Sequence, residues 1–352
     1  MPLALPTLPF TVVALTLLGG AILGAALIAR AMSRRERRAR RRAAADLARD
    51  FRAFRRGVLH AHDLVDAASA CAAETFWSAI EAGARRGRSH PELARALARC
   101  EHVADEARAL RDDSPWRREL AARRLGLVRS RAIGAALRRA MARGPEMVTH
   151  AAARALAHQR DLGALRWLLG HPAAITHRTP RARAALLLAF GPGASATLIQ
   201  ALASWELDPA IECAAIDALA ESKCGVAAAP IAMRLSSADP ELRTSAARAL
   251  GRIGASEASA VLRSALEDRE WPVRAQAARA LGRIGDETAA TALSRCLCDP
   301  AWWVRRHAAY ALAALGGTGR DELARAAASS DRYAREMAEE ALHSAQRRVA
   351  GD

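Results

Sequence analysis

The chain has 352 residues, which is enough for one large domain or two ordinary ones. Alanine is its commonest residue and it contains only two tyrosines and five phenylalanines, so the composition favours an all-α protein whose helices pack closely. The net charge of +16 is concentrated in residues 1–45 and 111–143, and the nearly neutral remainder argues against a protein that binds nucleic acid along its whole length.

The N-terminal segment is apolar and is followed by arginines. Residues 1–29 carry no charge, and the run from Pro9 to Ala29 has the length of about 20 residues that a helix needs to cross a bilayer. A cleaved signal peptide needs positive charge before its apolar run, whereas here the arginines all follow it. The positive-inside rule therefore predicts a single-pass transmembrane anchor, residues 1–32, in the cytoplasmic (inner) membrane. The N-terminus is then outside and residues 30–352 are in the cytoplasm.

Two features of this segment predict further contacts. Gly20 and Gly24 are spaced so that two membrane helices can approach closely, which predicts a homodimer. The alternative is that the pair only reflects the frequency of glycine in membrane helices. The arginines between Arg34 and Arg42 set the topology and are expected to contact anionic lipid.

A basic juxtamembrane stretch and a helical region are predicted over residues 33–111. Apolar and small residues recur there at alternating steps of four and three, as in a coiled coil. These positions are Leu47, Phe51, Phe54, Val58, Ala61, Val65, Ala68, Ala72, Thr75 and Ala79. They indicate either a coiled-coil stalk in a dimer or an amphipathic helix that breaks near Gly57 and folds back on its neighbours. The many alanines favour the second arrangement.

Residues 112–345 repeat one unit. The stretch "AARALGRIG" occurs at 246–254 and again at 277–285, and its alanine and leucine recur along the chain at steps of 31 or 32 residues. The pairs are Ala121/Leu125, Ala152/Leu156, Ala184/Leu188, Ala215/Leu219, Ala246/Leu250, Ala277/Leu281 and Ala308/Leu312, with a degenerate copy at Ala338/Leu342. This regularity predicts about seven stacked helix pairs and a capping unit, followed by a tail at 346–352.

A longer pattern, Asp-x5-Arg-x2-Ala-Ala-x2-Leu, occurs from Asp112, from Asp268 and from Asp299. On these residues the segment resembles the HEAT-repeat family, in the short form of about 30 residues that bacterial proteins such as phycobilin lyases contain. The resemblance implies a right-handed α-α superhelix, the HEAT-like solenoid. It also implies a ladder between neighbouring units, to which it assigns Asp112 and Arg118, Asp268 and Arg274, and Asp299 and Arg305. The units at Thr149, Arg181 and Glu212 lack the pattern.

Motifs for catalysis are absent from the sequence. It has no P-loop, no H-E-x-x-H and no G-x-S-x-G. It also lacks the His-Glu dipeptides of HEAT-like di-iron hydroxylases, and nothing beyond the repeat suggests the tetrapyrrole site of the lyases. Cys296 and Cys298 have no second pair at zinc spacing. We therefore predict a non-enzymatic protein without catalytic, cofactor-binding or metal-binding residues.

Residues 111–143, the basic segment, hold ten arginines and three acidic residues. They predict a face for an acidic protein or anionic lipid. The alternative is a solvated capping unit at the start of the array. The candidate contacts are Arg117, Arg118, Arg123, Arg124, Arg138 and Arg139. A nucleic-acid groove is the weakest interpretation, because the anchor and the neutral array argue against it.

The scarce aromatic residues cluster near the C-terminal end. Trp271 and Trp302 occupy equivalent positions at the turn into a first helix, and Trp303 and Arg306 follow. Because tryptophan and arginine dominate many interfaces, these residues predict a second partner-binding region. The alternative is that the rings only cover the turns of adjacent units. Together these features predict a membrane-anchored cytoplasmic scaffold for protein partners, or an accessory subunit that positions a membrane-associated enzyme.

Overall fold

The computed structural model describes the backbone of residues 8–84, 91–204 and 206–350, and the side chains of residues 30, 32, 34–82, 92–203 and 206–347. These residues form helices and turns, with no strand among them. The α-helices are α1 Leu8–Arg55, α2 Ala61–Ala70, α3 Ala73–Ala84, α4 Pro91–Leu97, α5 Glu101–Ala109, α6 Pro115–Leu125, α7 Arg131–Arg143, α8 Glu146–His158, α9 Leu162–Gly170, α10 Pro180–Leu188, α11 Ala194–Ser204, α12 Pro209–Glu221, α13 Ala228–Met233, α14 Pro240–Ile253, α15 Ser259–Ser264, α16 Trp271–Ile284, α17 Ala290–Arg295, α18 Trp302–Ala314, α19 Gly317–Ala327 and α20 Arg332–Ala350. The chain divides into two compact units, residues 1–136 and 137–352.

The first unit has its own apolar core. Helix α1 packs against α2 and α3, and α2 packs against α4. Phe76, Trp77 and Leu64 are fully buried among them. The heptad-like seam is divided between three helices, because α1 ends at Arg55 and Gly57 turns the chain with φ +74°. Five of its residues are buried inside this unit, namely Leu47, Phe51, Ala68, Thr75 and Ala79, whereas Val58, Ala61 and Ala72 are exposed. Because α1 packs on α2 and α3, the structure has the folded-back arrangement.

The sequence predicts that the repeats begin at residue 112, and the first compact unit of the structure extends to Ala136. Helix α6 was expected to open the repeat array, but it packs with the first unit. Arg124 Nη2 donates to Glu74 Oε1 at 2.9 Å, and Arg117 Nη1 donates to Glu106 Oε1 at 2.5 Å. These ion pairs hold α6 against α3 and α5. Helix α6 therefore belongs to the first compact unit, which ends at Ala136.

The second unit is a solenoid of helix pairs. The first helices of the pairs, α8, α10, α12, α14, α16, α18 and α20, each pack on the next one. The second helices are α9, α11, α13, α15, α17 and α19. Three of them, α13, α15 and α17, have six residues followed by a 3-10 turn. Helix α20 continues to Ala350, so residues 346–350, predicted as tail, are helical.

The repeated nine residues specify how adjacent first helices pack. Leu281 and the two alanines Ala277 and Ala278 are fully buried. A Cβ added to Gly282 would lie 2.6 Å from the Cα of Ala311, so only glycine permits the approach of α16 to α18. Gly285 follows in the left-handed conformation, with φ +79°, and ends the helix.

One unit has a different register from the one expected. In α10 the buried residues are Arg183, Leu186 and Leu187, whereas Ala184 is half-buried and Leu188 is exposed. The helix begins at Pro180 after the irregular segment around Pro172, and the helix start decides which face is buried. The alignment on Ala184 and Leu188 was therefore wrong by two residues.

The predicted anchor can be compared with the structure only in part. The backbone from Leu8 onward belongs to α1, but the side chains of residues 1–29, with Gly20 and Gly24 among them, lie outside the described part. Among the residues whose side chains are described, no helix has the length and apolar character required to span a bilayer.

Candidate partner-binding surfaces

An arginine–aspartate ladder joins neighbouring units of the solenoid. Arg274 Nε and Nη2 donate to the two carboxylate oxygens of Asp299 at 2.7 and 2.9 Å, and Arg243 makes the same bidentate pair with Asp268. The Nη1 of Arg274 donates to the backbone oxygens of Asp268 and Arg269. Two aspartates of the pattern, Asp268 and Asp299, thus each pair with the arginine of the preceding unit.

Sequence reasoning missed Arg243, because a serine, Ser237, precedes it where the pattern has aspartate. Its Nη1 bonds to the backbone oxygen of Ser237, which any residue supplies. The signal that locates a ladder arginine is therefore its place as the fourth residue of a first helix. Arg183 also occupies that place, and its Nη1 donates to two turn carbonyls.

The ladder is incomplete at two of the predicted pairs. Arg305 is 8% exposed and keeps the two carbonyl contacts, but its Nε has no hydrogen-bond partner in the described part of the chain. Its guanidinium lies 4.6 Å from the ring centre of Tyr333. Asp112 accepts only from the backbone of Ser114, and the buried Nε of Arg118 is likewise unpaired among the described residues.

The basic segment is not one exposed face. Arg124 is buried and pairs with Glu74 and Glu106, and Arg117 also pairs with Glu106, so these two predicted contact residues stabilise the first unit instead. Arg123 and Arg139 are exposed, and Arg138 is exposed but pairs with Asp161. Arg118 is half-buried. The predicted contact set therefore separates into inward and outward residues because successive helical positions point in different directions.

Two tryptophans near the C-terminal end, Trp302 and Trp303, are exposed and in mutual contact. Trp302 and Trp303 are 42% and 47% exposed, with ring centroids 4.7 Å apart in an edge-to-face arrangement. The Arg306 guanidinium lies 5.4 Å from the Trp302 ring and 5.0 Å from the Tyr310 ring. Trp271, which begins α16, is 45% exposed. We call Trp302, Trp303 and Arg306 the aromatic edge.

Two cysteines of the solenoid, Cys296 and Cys298, adjoin a cavity. A shallow cavity of about 220 Å³ adjoins Cys296, Cys298 and Arg295. Burial raises the pKa of the Cys296 thiol to about 11, so it is protonated at neutral pH and is a poor nucleophile. Within the ranges that the structure describes, no three His, Cys, Asp or Glu residues are grouped so that they could hold a metal ion.

Comparison with known proteins identifies the repeat. The family model described as HEAT repeats matches residues 195–273 and 259–343. No curated protein matches the chain. Among solved structures, an engineered protein shares 19% identity over 81% of this chain and 98% of its own, with a TM-score of 0.38.

Two natural proteins of known structure resemble the chain to a similar degree. Human deoxyhypusine hydroxylase in complex with glycerol is 19% identical over 82% of this chain and 97% of its own, with a TM-score of 0.31. Kap121p bound to Ste12p is 14% identical over 76% of this chain and 40% of its own, with a TM-score of 0.39. Neither likeness assigns an activity or a partner. The family match and the stacked helix pairs together identify residues 195–343 as HEAT repeats, in an all-α protein whose C-terminal unit is a HEAT-like solenoid.

Proposed function

We propose that the chain is a non-enzymatic scaffold, anchored in the cytoplasmic membrane, which binds protein partners through its solenoid. The aromatic edge carries this proposal. Two adjacent tryptophans are nearly half exposed, although the chain has few aromatic residues and could have buried them in its core. Exposed tryptophans beside arginine are typical of the residues that contribute most to protein interfaces.

The membrane part of the proposal rests on the sequence of residues 9–29. An uncharged run of bilayer length, followed by the arginines from Arg30 to Arg42, is typical of an anchor with its C-terminal side in the cytoplasm. The same arginines would contact anionic headgroups. Gly20 and Gly24 would permit two anchors to pack, so the scaffold would be a dimer.

A crosslinking experiment on the full chain in intact membranes tests the partner-binding function. A photo-crosslinking residue is placed at Trp303 and, as the control, at Val226, which is 81% exposed and lies far along the array. We expect a specific protein adduct from position 303 and none from position 226. Equal labelling at the two positions, or none at either, would contradict the proposal. Identification of the adduct distinguishes a scaffold from an accessory subunit of an enzyme.

The exposed thiol of Cys298 tests the orientation. A membrane-impermeant maleimide should leave it unlabelled in intact cells and label it after permeabilisation. Labelling in intact cells would contradict the cytoplasmic location.

A further inference from the structure

The first helices of the last five repeat units carry a row of polar residues at their ninth positions. This row runs Asp217, Arg248, Arg279, Tyr310 and Glu340 from α12 to α20. A second row at the thirteenth positions contains Glu221, Arg252 and Arg283. Since adjacent first helices pack side by side, neighbours in a row can pair across the solenoid.

The outer members of both rows are paired. Arg248 Nη2 donates to Asp217 at 3.0 Å, and Arg252 Nη1 donates to Glu221 at 3.2 Å. At the other end, the hydroxyl of Tyr310 donates to Glu340 at 3.0 Å. The acidic residues of the two rows, Asp217, Glu221 and Glu340, therefore already pair with residues of α14 and α18.

At the ninth and thirteenth positions, the central unit has two arginines and no acidic residue. Arg279 and Arg283 are exposed on α16 and form no hydrogen bond or ion pair with any described residue. Although the side chain is exposed, partial desolvation of its guanidinium lowers the pKa of Arg283, and the charges of Arg279 and Arg252 lower it further. The surroundings of Arg283 thus disfavour its positive charge, and a negatively charged ligand bound beside it would stabilise that charge.

Helix α18 adds to this charge. Arg306 lies there between the rings of Trp302 and Tyr310. His307 Nδ1 lies 3.0 Å from the backbone oxygen of Ala275, which fixes the imidazole against α16. Burial lowers the pKa of His307, the hydrogen bond to Ala275 raises it, and the charges of Arg279, Arg306 and Arg283 lower it. Arg306 contacts the ring of Tyr310, which neighbours Arg279 in the ninth-position row, and Arg283 lies four residues beyond Arg279 on α16. We call Arg279, Arg283 and Arg306 the cationic cluster.

We propose that the cationic cluster, bordered by the aromatic edge, binds an extended acidic segment of a protein partner. This inference rests on the proposed scaffold function and names the chemistry of its ligand. Neighbouring helix axes are about 8–10 Å apart, and alternate side chains of an extended peptide are about 7 Å apart. Carboxylates at alternate positions could thus reach arginines on both α16 and α18, while the tryptophans contact the apolar parts of the segment.

The number of cations favours a peptide over other anions. Three arginines would neutralise few phosphates, so nucleic acid would bind weakly at physiological salt. Recognition of an anionic bilayer usually takes a cluster of about 4–8 basic residues. Two or three carboxylates on a short segment match three arginines, and arginine holds carboxylates bidentately.

Fluorescence anisotropy with the full chain in non-ionic detergent micelles tests the inference. The probe is a labelled short peptide of alternating glutamate and serine, and its control has glutamine for glutamate. We expect binding of the glutamate peptide only, and about tenfold weaker binding by the double variant Arg279→Gln/Arg283→Gln. Arg269→Gln/Arg295→Gln is the matched control, because it removes the same charge from side chains that are 75% and 72% exposed outside the cluster.

The outcomes separate this inference from the scaffold proposal. Equal loss of binding in the two double variants would overturn the cluster as the site. The inference would also be overturned if a single-stranded oligonucleotide, or vesicles containing phosphatidylglycerol, bound more tightly than the glutamate peptide and if that binding depended on the same arginines. A swap to Arg279→Glu/Arg283→Glu should transfer binding to the corresponding lysine peptide. If crosslinking at Trp303 succeeds while the glutamate peptide fails to bind, only the acidic-segment inference is wrong.

Discussion

At the scale of single residues, one guanidinium joins three elements of the solenoid. Arg274 donates through Nη1 to the turn that precedes its own helix and through Nε and Nη2 to Asp299 of the next unit. A lysine has one ammonium group and cannot satisfy both the turn and the carboxylate. The ladder therefore requires arginine, and the turn carbonyls would lose a buried donor without it.

The first prediction concerns that requirement. Arg274→Lys should lower the free energy of unfolding by about 2 kcal/mol, since it removes charge-assisted hydrogen bonds from a largely buried site. Chemical denaturation of the full chain in detergent measures the change. Arg269→Lys, at an exposed side chain in the preceding turn, is the control and should have little effect. Similar losses in both variants would contradict the role given to Arg274.

The carboxylates of the ladder predict a dependence on pH. Burial alone would raise the pKa of Asp268, but hydrogen bonds from Arg243 and from the backbone of Glu270 outweigh it and hold this pKa below the usual 3.8. The resulting stabilisation is complete above that value and is lost as the pH falls through the lower pKa of the folded state. Asp268→Asn should therefore be destabilised at neutral pH, with a difference from the parent chain that shrinks in acid. Thermal melts across this range measure it, and a difference independent of pH would contradict it.

The unpaired end of the ladder predicts a stabilising change. Ser329 takes the place of the ladder aspartate before α20, and the backbone oxygen of Ser329 accepts from Arg335 as that of Asp299 accepts from Arg305. Ser329→Asp should supply the carboxylate that Arg305 Nε lacks and raise the free energy of unfolding by about 1 kcal/mol. Ser330→Asp, one residue on, is the matched control. Equal effects at both positions would mean only a general gain from negative charge.

At the scale of elements, the glycines of the repeat have two separate roles. Gly282 permits the close approach of α16 to α18, and Gly285 ends α16 in the left-handed conformation. Gly282→Ala should cost about 1–3 kcal/mol through overpacking against Ala311, and Gly285→Ala about 1 kcal/mol through backbone strain. Gly285→Asn should recover most of the second loss, because asparagine tolerates this conformation, whereas Gly282→Asn should not recover the first. Denaturation curves of the four variants measure this, and a rescue at both glycines would contradict the assignment.

The periodicity of the sequence predicted the helix pairs because alanine and leucine recur wherever first helices pack. It could not predict the register after an irregular segment, since the start of α10 at Pro180 decides that Arg183 and Leu186 point inward. It also could not predict which partner an aspartate chooses. Asp268 lies six residues before Arg274 in the chain, yet its carboxylate bonds to Arg243 of the preceding unit.

The sequence predicted the candidate binding surfaces less well than it predicted the helix pairs. Trp302 and Trp303 are exposed, and their role as contact residues stays a prediction. Arg124 was expected on a surface but is buried. The sequence could not predict this, because its partner Glu74 lies 50 residues away along the chain. Arg279 was missed as a candidate because the sequence does not show which members of its row are paired. In the structure its neighbours in the row, Arg248 and Tyr310, each pair with an acidic residue, whereas Arg279 pairs with no described residue.

At the scale of the whole molecule, the apolar surface of the chain is divided between an N-terminal run and two cores. Among the side chains of α1 that the structure describes, those of residues 30, 32 and 34–46 are not buried, and Leu47 is the first that enters a core. Without the run, the chain keeps a large excess of arginine over acidic residues, and such a net charge favours solubility.

Removal of residues 1–32 should therefore yield a monodisperse helical protein that needs no detergent. Its thermal unfolding should match that of the full chain in micelles, because no described core contact is lost. Sedimentation after cell lysis and circular dichroism measure the two properties, and deletion of 1–50, which also removes the buried Leu47, is the destabilising control. If the shorter deletion stays in the membrane fraction, residues after 32 also bind the membrane and 1–32 is not the sole anchor. If it unfolds, residues 1–32 contribute to the stability of the folded units and are not a separable anchor.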